Sequence, residues 1–532
     1  MIPPPSSSNK INAALSPAPT LVDGRPAQKY SFFRRYVLLL VFCLAQFLDA
    51  ANNSALFSAI PALVEAFDIT ESETTWIISA FQLTFASFLL ISGKISDIYN
   101  PKYAFIGGFA VLGIFSLGAG FANNKIALII LRALSGVAAS MTIPSALTLL
   151  VSVFPEPTEQ DRAIGVFGGC GAIGNISGLI IGAIFVQFAN WRWVFWFIAM
   201  VAIPIAGLCT VLIPPYETRD SPSTGYAKWK SLDLGGVSIL TVALILFIFA
   251  VTSGSTSGWG SAMVLAPLII AIAMIIGFFW YETRIPPSIA AVPPRTWFLP
   301  NFAVLFGVAL LPYLWWTTCF TIFTTLWQSV YHWSVISTAL RMIPMGVFAF
   351  AMSFTGSLAR FISPKYILLP SQVVLMIATI LLHFADGPDT YYGFALPAFI
   401  LGTSGCMLTY THTNIAIFRT SPSSMAGTVG AIFNGALQLG SAVGLAAVSS
   451  IETSIEKTHG GSVTYAGRAA AFWFVFAIIV VEFFAILIFY RVAAEKKSDD
   501  DTQVESEVIV DSKIPPSRAP SLMEKLQEAD AV

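Results

Sequence analysis

The sequence predicts an all-α polytopic membrane protein of about fourteen transmembrane helices. Composition, the number of long apolar runs and the placement of positive charge between those runs carry that prediction. The 532 residues are 56% hydrophobic and 11% charged, with a mean hydropathy of +0.76. A soluble globular chain carries about 25% charged residues. So few polar side chains cannot wet the surface of a soluble protein of this size, whereas a bilayer is itself an apolar solvent. The net charge of -1 gives no basic field to attract nucleic acid.

A spanning helix needs roughly 20 mainly apolar residues. Such runs lie at 37–63, 74–92, 103–121, 126–152, 163–188, 193–213, 233–253 and 263–282. A proline-rich connection follows, and then 302–328, 337–358, 365–384, 391–414, 425–449 and 470–490. With the N-terminus in the cytosol, sixteen Lys and Arg fall in inside-facing connections and juxtamembrane tails, among them Arg34, Arg35, Lys94, Lys102, Arg162, Arg360 and Lys365. Only Lys125, Arg192, Lys457 and Arg468 fall outside. That is a strong positive-inside bias, and losing any one middle helix would scramble it. An even count with both termini cytosolic follows. The first thirty residues lack the apolar core of a cleavable signal, so the first span is expected to direct insertion itself.

The polar groups give little chemistry outside the spans. Cys43, Cys170, Cys209, Cys319 and Cys406 all lie in apolar runs without a CxxC spacing and read as small buried hydrophobes. The four histidines have no metal-ligand spacing, so no metal site is expected. No nucleophile and base constellation appears, and the chain does not read as an enzyme. The sequons at Asn52 and Asn175 lie inside spans, and the Gly168–Gly178 run lacks the strand and lysine of a phosphate loop.

Three motifs stand in order. The connection after the second span reads Gly93-Lys94-Ile95-Ser96-Asp97-Ile98-Tyr99-Asn100-Pro101-Lys102. Asn100 suits a tight turn, and Asp97 suits a helix N-terminus or an arginine. The fourth span carries Arg132, followed by the small residues Ser135, Gly136, Ala138 and Ala139. An arginine in a span is costly and faces protein or a water-filled cavity. The fifth span places Gly174, Gly178 and Gly182 four apart, on one helix face where another backbone can approach.

Together these motifs resemble the major facilitator superfamily, and within it the fungal-type fourteen-span drug:H⁺ antiporter branch. The resemblance covers roughly residues 35–492 and extends to Leu48–Leu56 in the first span and Gly427–Gly444 in the thirteenth. Ile98 replaces a usual basic residue, Leu179 a proline and Ala183 a second glycine. The resemblance implies two six-helix bundles related by pseudo-symmetry, plus two extra spans. The expected organisation is a cytosolic tail at 1–34, a bundle at 35–214, a linker with the two extra spans at 215–300, a second bundle at 301–491 and a tail at 492–532. A site near the membrane midplane and alternating access by rocking of the bundles follow from that architecture. The 93–102 loop, Gly136 and the Gly174, Gly178 and Gly182 stripe are then gating or packing elements.

Proton coupling needs an ionisable group that meets each side in turn. Asp49, mid-span with Gln46, Asn52 and Asn53 around it, is the first candidate, followed by Arg132 and Glu482. Gln82, His412, Asn414, Asn434 and Gln438, with Asn52 and Asn53, are candidate cavity residues, and Trp315, Trp316, Phe320 and Trp327 candidate aromatic walls. Trp191, Trp193 and Trp196 suit a membrane interface. The leading reading is proton-coupled export of a small amphipathic molecule, with the proton gradient in place of any cofactor. A second reading is uptake or facilitated movement of ammonium, an amine or a weak acid, and a third is a non-transporting sensor. The expected partners are a small-molecule substrate and the lipid bilayer, with no nucleic acid and no obligate protein partner, in a monomer. The plasma membrane is the first expectation, with a vacuolar or other internal membrane as the alternative.

Overall fold

The computed structural model describes residues 31–69, 71–154, 156–213, 233–286, 294–421, 426–456 and 464–492, with short stretches at 21–22 and 25–26 and single residues at 290, 292 and 461. Most of the expected tails and of the connection after the sixth span lies outside the described residues, as does the side chain of Asp97. Leu21–Val22 and Arg25–Pro26 form a two-residue antiparallel ladder.

Among the described residues, fourteen helices are long and apolar enough to cross a membrane. Spans 1 to 6 are Phe32–Phe67, Trp76–Ser96, Pro101–Gly120, Lys125–Val153, Arg162–Phe188 and Arg192–Leu212. Spans 7 and 8 are Gly235–Gly254 and Ala262–Glu282. Spans 9 to 14 are Phe302–Val330, Val335–Arg360, Pro364–His383, Pro388–Arg419, Thr428–Glu456 and Ala466–Phe489. Each matches one apolar run of the sequence. The main difference is span 13, which continues to Glu456 through a polar turn that hydropathy alone ends at 449. There Glu452 faces Arg468 of span 14 at 3.9 Å, so a tertiary contact carries the helix past its apolar stretch.

The helix pairings repeat. In the first half span 1 packs on 5, span 2 on 4, and span 3 on 4 and 6. In the second half span 9 packs on 13, span 10 on 12, and span 11 on 12 and 14. Adding eight to each member of a first-half pair gives the second-half pair, so the halves are two copies of one six-helix arrangement. The copies meet along two seams, span 2 against span 13 and span 5 against span 10. Span 7 lies against both span 2 and span 13, and span 8 lies on span 7. The extra pair therefore covers one seam and leaves the other uncovered by it. Thr241 of span 7 donates to the Ser87 carbonyl at 3.1 Å, and Trp259, just beyond it, donates to Ser450 Oγ at 3.0 Å.

A tripeptide marks the repeat as well. Pro101-Lys102-Tyr103 opens span 3 and Pro364-Lys365-Tyr366 opens span 11. Lys102 Nζ donates to the carbonyl of Thr210 at 2.9 Å and to that of Ile213, at the end of span 6. Lys365 Nζ donates to the carbonyls of Leu487 and Tyr490, each at 2.9 Å, at the end of span 14. A cation on the orphan carbonyls of a helix C-terminus satisfies them and opposes the helix dipole. Replacing either lysine by alanine should cost about 1 kcal/mol. The two losses should add in the double variant because the sites are far apart. Thermal inactivation midpoints of the three variants check this, and a double variant no worse than either single would refute it.

Candidate functional site

Asp49 lies halfway along span 1 and is buried, and its Oδ1 has no hydrogen-bond partner among the described residues. Three residues on, Asn52 is fully buried, and its Oδ1 accepts from Arg132 Nη1 at 3.2 Å. Arg132 also donates through Nε to the Ile77 carbonyl at 3.3 Å, and its Cζ stands 4.4 Å from the centre of the Phe81 ring. Spans 1, 2 and 4 thus converge on one guanidinium, whose Nη2 is left unpartnered. Its positive charge acts on Asp49 through space, with Asn52 taking the direct contact. Gly136, four residues beyond Arg132, permits this approach, because a β-carbon there would lie 3.1 Å from the Phe81 carbonyl carbon. Thr84 Oγ1 donates across the same contact to the Ala133 carbonyl at 2.7 Å.

Near Gln46, three residues before Asp49, residues of both bundles line a cavity of about 40 Å³. Asn175 of span 5 lines it with Tyr313 and Trp316 of span 9 and Met407 and Tyr410 of span 12. The Trp316 indole N–H has no partner. Gly171, also on the wall, leaves room for Gln46, whose Nε2 would stand 2.7 Å from a β-carbon there. Gly168 makes room for the Tyr410 ring in the same way. The arrangement is a buried carboxylate and a nearby fixed cation, next to an aromatic wall with unused hydrogen-bonding groups. Such a site suits reversible proton binding beside an amphipathic ligand.

The profile of the Major Facilitator Superfamily matches residues 42–445 of the chain. The chain belongs to that superfamily. Among the proteins it is similar to is the major facilitator superfamily multidrug transporter mfsC of Aspergillus fumigatus, 28% identical over 464 residues, 85% of this chain and 86% of that protein. The puromycin resistance protein pur8 of Streptomyces alboniger is 29% identical over 433 residues, 79% of this chain and 82% of its own. The low affinity ammonium transporter of Saccharomyces cerevisiae is 25% identical over 425 residues, covering 78% and 81%.

In this facilitator the other expected site residues disperse. Gln82 reaches across the seam of spans 2 and 13, where its Nε2 donates to Ser441 Oγ at 3.4 Å, and Ser441 also bonds Thr317 of span 9 at 2.7 Å. Asn434 turns back on its own helix and donates to the Gly430 carbonyl at 2.9 Å, while Gln438 is half-buried. Asn53 is half-buried with Oδ1 unpartnered, and Asn414 is buried with Oδ1 unpartnered. His412 faces Thr355 of span 10 at 3.4 Å. Glu482 is in span 14, which packs on spans 11 and 13, and its Oε2 accepts from Gln372 of span 11 at 3.4 Å. It takes no part in the Asp49 cluster. Of the expected aromatics, Trp316 alone lines the cavity, and Trp315 instead donates to Thr379 at 3.1 Å.

The glycine stripe has a different place from the one expected of a gate. Gly174, Gly178 and Gly182 lie against Phe47, Ala51 and Ala55 of span 1, inside the first bundle. The seam between bundles is lined by other glycines of span 5. Gly165 and Gly169 meet Ser353 of span 10, and Gly346 of span 10 receives Ile176. Leu179, where the family motif has proline, keeps its backbone N–H, and the helix runs unbroken from Pro157 to Phe188. Gly93 is buried, and Lys94 beside it donates to the Ala290 carbonyl at 2.9 Å. Trp191 is buried, whereas Trp193 is exposed. Arg192 closes the end of span 3, donating to the carbonyls of Gly120 and Ala122 at 2.9 and 2.8 Å.

Proposed function

We propose that this facilitator exports small amphipathic molecules in exchange for protons, by alternating access of its two bundles. The observation that carries the reading is Asp49, a carboxylate buried mid-span with an unpartnered oxygen, beside the Arg132 charge and a cavity wall of Tyr313, Trp316 and Tyr410. A cavity of about 40 Å³ is far smaller than the roughly 300–1,000 Å³ of drug-sized sites. The bundles therefore have to part for a substrate to enter, and the span 5 and span 10 seam is where small residues allow close packing to form and break. The names of the Aspergillus and Streptomyces relatives, a multidrug transporter and a puromycin resistance protein, agree with this class of cargo. On this reading the face with the 93–102 connection and both chain ends is cytosolic, in the plasma membrane, and the protein works as a monomer without catalysis.

A second reading, movement of ammonium or a small amine, draws on the small cavity and on the name of the yeast relative. Proteoliposomes with an acid lumen in neutral buffer separate the two. Ethidium, a permanently charged cation, should accumulate inside and speed alkalinisation of the lumen beyond that of protein-free vesicles. Uptake of labelled methylammonium beyond that of protein-free acid-lumen vesicles, which trap the amine by themselves, without ethidium uptake would favour the second reading. Ethidium uptake that ignores the pH gradient would overturn proton exchange.

A further inference from the structure

On a flank of span 14, beside its buried face, an apolar groove of about 700 Å³ runs between spans 9 and 14. Val304 and Gly307 of span 9 line one wall, and Ile478, Val481, Ala485 and Phe489 of span 14 the other. Val481 and Phe489 are 67% and 63% exposed, so the groove opens outward, where a membrane helix meets lipid. Along span 14 it extends from Phe474 to Phe489, about 22 Å at the rise of an α-helix.

An ordinary lipid-facing groove has no carboxylate in it. This one has Glu482, only 8% exposed. The carboxylate accepts one hydrogen bond, from the fully buried Gln372, and meets no Lys, Arg or His within ion-pair distance among the described residues. The Gln372 Oε1 behind it has no partner either. A buried acid is costly without a counter-charge. Here the protein supplies only an amide, and the open side of the acid is an elongated apolar slot. The complement of that surface is a cation carried on a hydrocarbon chain.

We propose that the groove between spans 9 and 14 is a second ligand site, which takes single-chain amphiphilic cations from the bilayer with the cationic head on Glu482 and the chain along Gly307 and Val304. It lies apart from the Asp49 cavity, and its occupancy does not depend on the transport cycle proposed above. The apolar arm between Glu482 and Phe489, about 10 Å long at the rise of an α-helix, favours an alkylammonium over a compact cation, and the carboxylate favours it over a phospholipid chain.

Gly307 allows a clean test, since a β-carbon there would meet nothing within 4 Å. Gly307→Leu places its β-carbon in open space and directs a bulky side chain into the groove, and it replaces glycine by a better helix former. The measurement is equilibrium binding of radiolabelled dodecyltrimethylammonium to the full chain in phosphatidylcholine nanodiscs, with partition into empty nanodiscs subtracted. We expect a saturable component that Glu482→Gln weakens about tenfold or more, that Gly307→Leu removes, and that Asp49→Asn retains. Binding unchanged in both groove variants would overturn the proposal. So would competition by dodecylphosphocholine as strong as that of the cation itself, because the groove would then read chain and not charge. If Glu482→Gln does not fold, Gly307→Leu decides the question alone.

Discussion

Asp49→Asn is expected to abolish proton-driven accumulation of substrate while leaving the protein folded. A carboxamide keeps the volume and polarity of the side chain but binds no exchangeable proton at neutral pH. With one proton exchanged per substrate, a gradient of about two pH units sustains about 100-fold accumulation, since each unit is about 1.4 kcal/mol and a factor of ten. The variant should lose all of that and move substrate only towards equal concentrations. The buried Asp49 oxygen has no hydrogen bond to lose and a neutral amide is cheaper to bury than a carboxylate, but the change leaves the buried Arg132 without its nearby anion. A folded protein with a thermal midpoint at or somewhat below wild type should therefore accompany the loss of coupling. Asp49→Glu, which restores a carboxyl one methylene further out, should recover part of the accumulation. Accumulation in Asp49→Asn that matches wild type would remove this residue from the coupling step.

The number of spans was legible because hydropathy is a local property and the bilayer fixes the length of a spanning helix. The internal charges were legible for a related reason: Asp49 and Arg132 are expensive in a span and need surroundings that supply partners. Which neighbours surround them was not, because that depends on how each helix is rotated about its axis. Residues two positions apart in a helix point about 200° away from each other, and span 12 is a case in point. Its Tyr410 lines the cavity, whereas His412, the residue the sequence favoured, turns towards Thr355. Adjacent residues part in span 9, where Trp316 lines the cavity and Trp315 bonds Thr379. Asn175 was visible only as an unused sequon, although its place on the glycine-rich span 5 puts it on the cavity wall. The paired Pro-Lys-Tyr openings of spans 3 and 11 were readable in the sequence once the two halves were laid side by side. Their meaning rests on carbonyls more than a hundred residues away.

Gly178→Val is expected to be the most damaging single substitution in the first bundle. A β-carbon at Gly178 would lie 2.7 Å from both the Cα and the carbonyl oxygen of Ala51, so the obstruction is backbone and cannot rotate away. Span 1 cannot retreat locally, because Gly174 and Gly182 hold the same two helices together one turn to either side, with Phe47 Cα and Ala55 Cα each 2.9 Å from the β-carbon positions. Overpacking of a filled contact costs about 1–3 kcal/mol, and more where the backbone has to move. A loss of about 3 kcal/mol is the expectation for valine here. The displacement also falls next to Asp49 and Asn52, so the protein that does fold should show weakened coupling along with a lower thermal midpoint. Gly207→Val is the matched control: it makes the same chemical change in span 6, where a β-carbon meets nothing within 4 Å. Fluorescence-detected size exclusion after heating gives both midpoints. If Gly178→Val withstands heat as well as Gly207→Val, the close contact of spans 1 and 5 is not what holds the first bundle together.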